Sequence, residues 1–383
     1  MEEAVQLRRP IVVLDFGGQY AHLIASRVRR MGFSAEVRLA ETPASDLQHA
    51  AGIILSGGPQ SVYDPGSPQA DRRIFELSLP ILGICYGLQW MTQTLGGSVK
   101  QGKVKEYGHA IIEKDGGGGL LLAGCPQRFS VWMSHGDEAR FLPAGARRIA
   151  TSSSCAHAAW ADEARKFFAV QFHPEVTHTE CGEQILRSFV SLCDASPWSV
   201  ESSARQIRRE IVAEVGERKV FMLVSGGVDS TVAFTLLNEV LGQERVHGLL
   251  VDTGLMRKGE IAEIRAAFQK LKITNLRIED ASEEFFAALR GVVDPEEKRR
   301  AIGETFLTVQ RRVSAEMGLS AEEGWMLGQG TIYPDRIETK GTKHADHIKT
   351  HHNRVQAVQD LIEKGLLIEP LKDLYKDEVR RLG

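Results

Sequence analysis

Pro80-Ile-Leu-Gly-Ile-Cys85-Tyr-Gly-Leu-Gln-Trp90 is a short apolar run that reaches a cysteine between two glycines and continues as a helix-compatible stretch. It reads as a buried strand, a tight turn and a helix. The same grammar occurs twice upstream. Ile11–Asp15 runs into Phe16-Gly17-Gly18, and Gly52–Ser56 runs into Gly57-Gly58-Pro59. Short β-rich runs alternating with amphipathic stretches argue for parallel α/β architecture. In such sheets the loops at the carboxyl ends of strands build the site, so three glycine turns in one half predict one site fed by three loops. The stretch Cys193-Asp-Ala-Ser-Pro-Trp-Ser-Val-Glu-Ser-Ser203 is small, polar and aperiodic, and reads as a linker. Beyond it a helix is expected over about Ala204–Val215, and strands return at Lys219–Ser225, His247–Asp252, Leu276–Ile278 and Trp325–Gly328. Helices fit between them at Ser230–Leu241, Ile261–Leu271 and Lys298–Met317. The expected fold is α/β with two doubly wound domains and largely parallel sheets, 1–195 and 196–383. Gly116-Gly-Gly-Gly119 is expected at a hairpin tip.

Composition narrows the function. The chain has 383 residues, with 47 Lys+Arg against 50 Asp+Glu and a formal net charge of −3. No global positive field draws in a polyanion, so nucleic acid is not an expected partner. The five cysteines (85, 125, 155, 181 and 193) are odd in number and lack a C-x-x-C spacing. That argues against a disulfide framework or a zinc ribbon and for a reducing compartment. The N-terminal MEEAVQLRRP has no apolar core and is not a signal peptide. Leu77–Val99 is uncharged and long enough for a membrane span, but its glycines, Pro80, Gln89 and Gln93 fit a strand, a turn and a helix better. The expectation is a cytoplasmic protein that does not meet a membrane.

Cys85 sits where a nucleophile elbow would hold it, exposed at a strand-to-helix turn with small neighbours. A helix N-terminus favours an anion there. The chemistry also needs a base and an orienting acid. Phe172-His173-Pro174-Glu175 offers both: in extended chain His173 and Glu175 share a face, and Pro174 biases His173 toward that conformation. The bland alternative is a buried cysteine acting as a small hydrophobe. Spacing alone also allows His135 and Asp137 as base and acid.

Gly83-Ile-Cys85-Tyr-Gly87, Leu55-Ser-Gly-Gly-Pro59 and His173-Pro-Glu175 together resemble the class I, triad-type glutamine amidotransferases, over roughly residues 10–193. The resemblance implies that Cys85 attacks the glutamine side-chain amide, with His173 as proton shuttle and Glu175 as its partner. It implies an oxyanion hole from the backbone N–H groups of Gly58 and Tyr86, a glutamine contact from Gln89, and a pocket shaped by Ser134-His-Gly-Asp137. His173 is preferred over His135 because the His-Pro-Glu string matches the family's catalytic pair and Gly136 leaves the other pair less fixed.

The second half carries Val220-Phe-Met-Leu-Val-Ser225-Gly226-Gly227-Val228-Asp229-Ser230-Thr231, a strand, a glycine turn and a helix start. Glycines let backbone approach an anion, the hydroxyls add donors, and the helix supplies aligned N–H groups. Asp229 has the wrong sign for a phosphate and fits a bridging Mg²⁺ instead. No Gly-Lys-Ser/Thr ending follows, so this is not a Walker A loop. The string is similar to the loop of the ATP pyrophosphatases. In that group the next strand end, here Val251-Asp-Thr-Gly-Leu-Met-Arg257-Lys258, flanks the adenine.

Gly328-Gln-Gly-Thr-Ile-Tyr-Pro-Asp335, Ile348-Lys349-Thr-His-His-Asn353 and the order of the two halves resemble the glutamine-hydrolysing GMP synthetases. The resemblance implies glutamine, XMP and ATP as substrates, with Mg²⁺ and no organic prosthetic group. ATP would adenylate XMP, and ammonia would displace AMP. Arg257, Asp335 and Lys349 become candidates on the nucleotide and XMP side, Lys349 within a mobile lid. His344, His347, His351 and His352 could suggest zinc, but Lys343 and Lys349 fit a cationic loop over a triphosphate better. Asp294-Pro295 reads as the cap and first residue of a solvated helix. Where the family continues Val-Gly-Gly, this chain has Arg354-Val-Gln. The family's homodimers form through a C-terminal domain with no counterpart after Gly383, so GMP formation by these residues is expected to be weak or absent. The alternatives are tRNA thiolation, NAD synthesis or a non-catalytic nucleotide sensor. Thiolation needs cysteines in the second half, which has none. Glutamine-fed NAD synthesis usually brings a different glutaminase, and a sensor has no need of a nucleophile.

Overall fold

The structure, a computed structural model, describes residues 9–318, 324–335 and 364–383. The chain divides into two compact units, Met1–Ser199 and Val200–Gly383.

In the first unit the elements run β1 (Ile11–Asp15), α1 (Ala21–Arg30), β2 (Ala35–Leu39), β3 (Gly52–Leu55), β4 (Ile81–Ile84), α2 (Tyr86–Thr94) and β5 (Ser98–Lys114). Then follow α3 (Gly119–Leu122), β6 (Arg128–Phe141), β7 (Arg147–Thr151), β8 (Ala159–Asp162), β9 (Phe167–Val170) and α4 (Gly182–Val190). The nine strands lie in the order β2-β1-β3-β4-β9-β8-β7-β5-β6. From β2 to β9 all pairings are parallel, and from β9 to β6 all are antiparallel. The sheet is therefore parallel only in the part that carries the glycine turns. β3, β4 and β9 are buried along their whole length, as strands covered on both faces must be. The carboxyl ends of β1, β3, β4 and β9 are neighbours. They bring together Phe16–Gly18, Ser56–Gly58, Cys85 and Gln171–Glu175.

The second unit begins with α5 (Val200–Val215). β10 (Lys219–Leu223), α6 (Val228–Leu241), β11 (Val246–Asp252), α7 (Glu260–Lys270) and β12 (Leu276–Asp280) follow. α8 (Ser282–Leu289), α9 (Pro295–Glu316), β13 (Trp325–Gly328), β14 (Leu367–Ile368) and a helix at Lys376–Leu382 complete the described elements. The sheet is parallel throughout, in the order β12-β11-β10-β13-β14. Its core includes Phe221, Leu249, Val251, Phe285, Val309 and Val313. Asp294 caps α9 as expected, accepting from the N–H groups of Glu296 and Glu297.

One expectation needs correction and a second gains detail. The stretch read as a linker is half structured. Ser34 N–H donates to the Ser196 carbonyl at 2.8 Å, Trp198 N–H donates to Gly32, and the Trp198 ring lies under the Arg29 guanidinium. An apolar ring within a polar stretch had a place to be buried. α5 also starts at Val200, inside that stretch and four residues before Ala204. The four-glycine segment does join two paired strands, but as a one-turn 3₁₀ and helical connection with all four φ angles positive.

Candidate active sites

Cys85 is the residue between β4 and α2. Its backbone is at φ 54° and ψ −105°, a conformation that side chains rarely adopt. Two glycines make this possible. A Cβ on Gly87 would sit 2.4 Å from the Leu55 carbonyl oxygen, and one on Gly83 would sit 2.7 Å from the Gly87 backbone. Strand and helix thus meet backbone to backbone, and the turn between them projects the thiol. The Cys85 side chain is buried, and its Sγ lies 3.5 Å from the Ser134 carbonyl.

His173 follows β9. Its N–H donates to the Trp132 carbonyl at 3.0 Å, and its carbonyl accepts from Thr179 Oγ1 at 2.6 Å. The ring meets Tyr20 edge-on, with centroids 5.3 Å apart. Nδ1 lies 2.6 Å from Glu175 Oε1. Glu175 is fully buried, its other carboxylate oxygen has no partner among the described residues, and its carbonyl accepts from Arg27 Nε. Burial works against charge on His173, but hydrogen bonds and charge from Cys85 and Glu175 outweigh it and push the imidazole up to about 11. A thiol, an imidazole and a carboxylate in this order can pass a proton between nucleophile and leaving group.

The other predicted residues gather around them. A Cβ on Gly57 would lie 3.1 Å from the His173 ring and 3.7 Å from Cys85 Cβ, and one on Gly58 would lie 3.2 Å from Tyr86 Cγ. Gly58 and Tyr86 are therefore neighbours across the turn, and Tyr86, first residue of α2, has an N–H with no acceptor inside the helix. Gln89 is buried and donates to the Asp137 carbonyl at 3.0 Å and to Gln171 at 3.4 Å. His135 Nδ1 meets the Asp137 carbonyl at 3.0 Å rather than its carboxylate, so the two do not form the alternative pair. His135 Nε2 faces Glu106 at 2.9 Å, and the Asp137 carboxylate accepts from Tyr63.

In the second unit the 225–231 loop is braced from within. Ser230 Oγ accepts from Ser225 N–H and donates to the Gly227 carbonyl. Gly226, at φ 76°, presses so close to Ile264 that a Cβ would be 2.3 Å from it. Thr231 N–H donates back to Gly227, inside the first turn of α6. Gly330 packs against Ser230, where a Cβ would meet Ser230 Cα at 3.0 Å. Among the described residues Asp229 Oδ1 is buried without a partner, while Oδ2 pairs with Lys376. Val251 is buried near the end of β11. Arg257 lies in the loop beyond and lines a cavity of about 560 Å³ with Asp252 and Arg265. Asp335 is exposed, with its N–H on the Ile332 carbonyl. Lys349, the four histidines and Arg354-Val-Gln lie outside the described residues. Sequence reasoning missed Lys376, Tyr63 and Arg27. None stands in a motif that announces it, and only the fold brings them to the sites. No described helix is long and apolar enough to cross a membrane.

Comparison with known proteins covers both units. Residues 12–193 match the model of class-I glutamine amidotransferases, and residues 200–329 match that of NAD synthase. The chain is 48% identical over 382 residues to a probable glutamine-hydrolyzing GMP synthase of Leptospira interrogans, covering 98% of the chain and 63% of that relative. It is 43% identical to the GMP synthase of Aquifex aeolicus, covering 98% of the chain and 73% of the relative. For that of Thermomicrobium roseum the figures are 45%, 97% and 70%. The chain thus spans just under two thirds of the length of the Leptospira relative.

Proposed function

The chain belongs to the glutamine-hydrolysing GMP synthase family, and from that premise we propose that it aminates XMP to GMP with ammonia taken from glutamine. The observation that carries the reading is the buried Cys85, His173 and Glu175 arrangement, set at the carboxyl ends of adjacent parallel strands. Cys85 Sγ attacks the glutamine side-chain carbonyl. The N–H groups of Gly58 and Tyr86 face the developing oxyanion. His173 delivers the proton with which ammonia leaves, and then takes one from the water that hydrolyses the thioester to glutamate. Glu175 holds the ring and favours its charged form. Gln89 holds the Asp137 segment that walls the pocket.

In the second unit the backbone of Gly226–Asp229 and the hydroxyls of Ser225 and Thr231 bind the ATP phosphates, while Ser230 keeps the loop in shape. Val251 lies on the adenine side. Arg257, Asp335 and Lys349 serve the XMP side. The XMP oxygen takes the adenylyl group, pyrophosphate leaves, and ammonia displaces AMP. Magnesium fits this site, because a buried oxygen of Asp229 that has no partner among the described residues suits a divalent cation. A bound Mg²⁺ would offset the phosphate charge. Lys376 lies against the same carboxylate and supplies a cation of the chain's own. Homodimerisation, a cytoplasmic setting and the absence of nucleic acid from the reaction belong to the same reading.

The test is GMP formation from XMP, ATP and Mg²⁺, with glutamine or ammonium as nitrogen source. GMP formation from both is expected. GMP from neither would remove XMP amination from the reading and leave the glutaminase.

A further inference from the structure

Tyr63 has no part in the proposed reaction, yet it closes a ring of contacts around Cys85. It belongs to the loop that leaves β3 through Gly57-Gly58. Its phenol donates to Asp137 Oδ1 at 2.8 Å. Asp137 is 7% exposed, whereas Tyr63 is 47% exposed, so the hydroxyl contact holds the tyrosine in place more than burial does. Among the described residues Tyr63 is the donor to this buried carboxylate. The Asp137 carbonyl accepts from Gln89 in α2, and the Ser134 carbonyl three residues earlier faces the Cys85 thiol. The far end of the loop is tied to α2 as well. Tyr86 Oη donates to the Pro68 carbonyl at 2.7 Å, and Trp90 Nε1 to Gln69 Oε1 at 3.0 Å. Among the described residues, hydrogen bonds thus fasten the loop to α2 at 68–69 and to β6 at Tyr63.

We propose that Tyr63 is a positioning residue for glutamine: its phenol pins the 59–70 loop against Asp137 and so sets one wall of the pocket above Cys85. The inference rests on the glutaminase reading and adds to it the residue that sets affinity without touching the reacting atoms. Burial, and then the Asp137 carboxylate, push the phenol up from its ordinary range, so it remains a donor at neutral pH.

The experiment is glutamate release by wild type, Tyr63→Phe, Asp137→Asn and the double variant, with the rate of Cys85 alkylation by iodoacetamide measured alongside. Tyr63→Phe is expected to raise KM for glutamine about tenfold, the size of one hydrogen bond to a charged group, with kcat within about twofold. Alkylation should be unchanged, because so small a reagent needs no pocket. In the Asp137→Asn background the same change should add less than it does alone. An unchanged KM in Tyr63→Phe overturns the proposal. So does a fall in kcat together with slower alkylation, since the phenol would then act on the nucleophile. A wild-type chain that releases no glutamate overturns this and the glutaminase reading together, and is told apart because it needs no variant.

Discussion

His173 and Glu175 stand 2.6 Å apart, nitrogen to oxygen, two residues apart in sequence and both buried. The short spacing is possible because Pro174 keeps the backbone between them from turning helical. The hydrogen bond fixes which ring nitrogen faces away from Glu175, toward the thiol. The backbone of His173 is itself held at both N–H and carbonyl. The pair is therefore a rigid unit presented to Cys85, and the first predictions concern it.

Replacing Glu175 with Gln keeps the shape and removes the charge. The expected loss in glutamine hydrolysis is roughly 10²- to 10⁴-fold in kcat, the range seen when a proton shuttle loses its orienting carboxylate. Steady-state glutamate release measures it. A variant within threefold of wild type would show that Glu175 does not orient the base.

The same variant makes a pH prediction. The His173 imidazole is raised in the folded chain from about 6.5 to about 11. A raised group stabilises the fold fully below its unfolded value and loses that contribution as pH rises through the folded one. Removing the Glu175 charge shrinks the contribution. The Tm difference between wild type and Glu175→Gln should be largest near pH 6.5 and narrow toward pH 10. Thermal melts across that window check it, and a gap that widens with pH would contradict the account.

Gly87→Ala tests the crossing of strand and helix. The new methyl would meet the Leu55 carbonyl at 2.4 Å, and that backbone cannot move without disturbing β3. The expected cost is about 1–3 kcal/mol, a drop of several degrees in Tm. Calorimetry of the chain would show it, and an unchanged Tm would mean that the elbow is looser than the geometry implies.

Much of the first site was legible because its chemistry is local. The glycines around Cys85 and the His-Pro-Glu string carry their own backbone logic. The glycine turns also located the parallel strands. What the sequence concealed is tertiary. The long β5 and β6 pairing places Ser134 beside Cys85 and leaves His135 facing Glu106, and spacing alone could not separate His135 from His173. Tyr63 and Lys376 reach their sites from a surface loop and from a helix 147 residues after Asp229, respectively. Trp198 hid a docked segment inside a polar stretch, because one large ring can bind a linker whose average composition is that of a free one.

The second unit gives an independent prediction. Asp229→Asn keeps the size of the side chain and removes the charge from the loop and from Lys376. Binding of Mg·ATP, followed by isothermal calorimetry, should weaken about tenfold or more, while glutamate release stays within about twofold. Equal loss of both would contradict separate sites.

Thiol reactivity separates Cys85 from two of the remaining cysteines. Burial pushes the Cys155 and Cys193 thiols up to about 12, so neither should be alkylated at pH 7.5 until the chain unfolds. Peptide mapping after iodoacetamide treatment, with and without denaturant, checks this. Rapid native labelling of either would be inconsistent with their packing.

The most direct test of the central claim is glutamate release from glutamine by the wild-type chain and by Cys85→Ala, with no nucleotide present. The account predicts measurable glutamate from the wild type and none above background from the variant. Equal release from both would show that the hydrolysis, whatever its source, does not pass through Cys85.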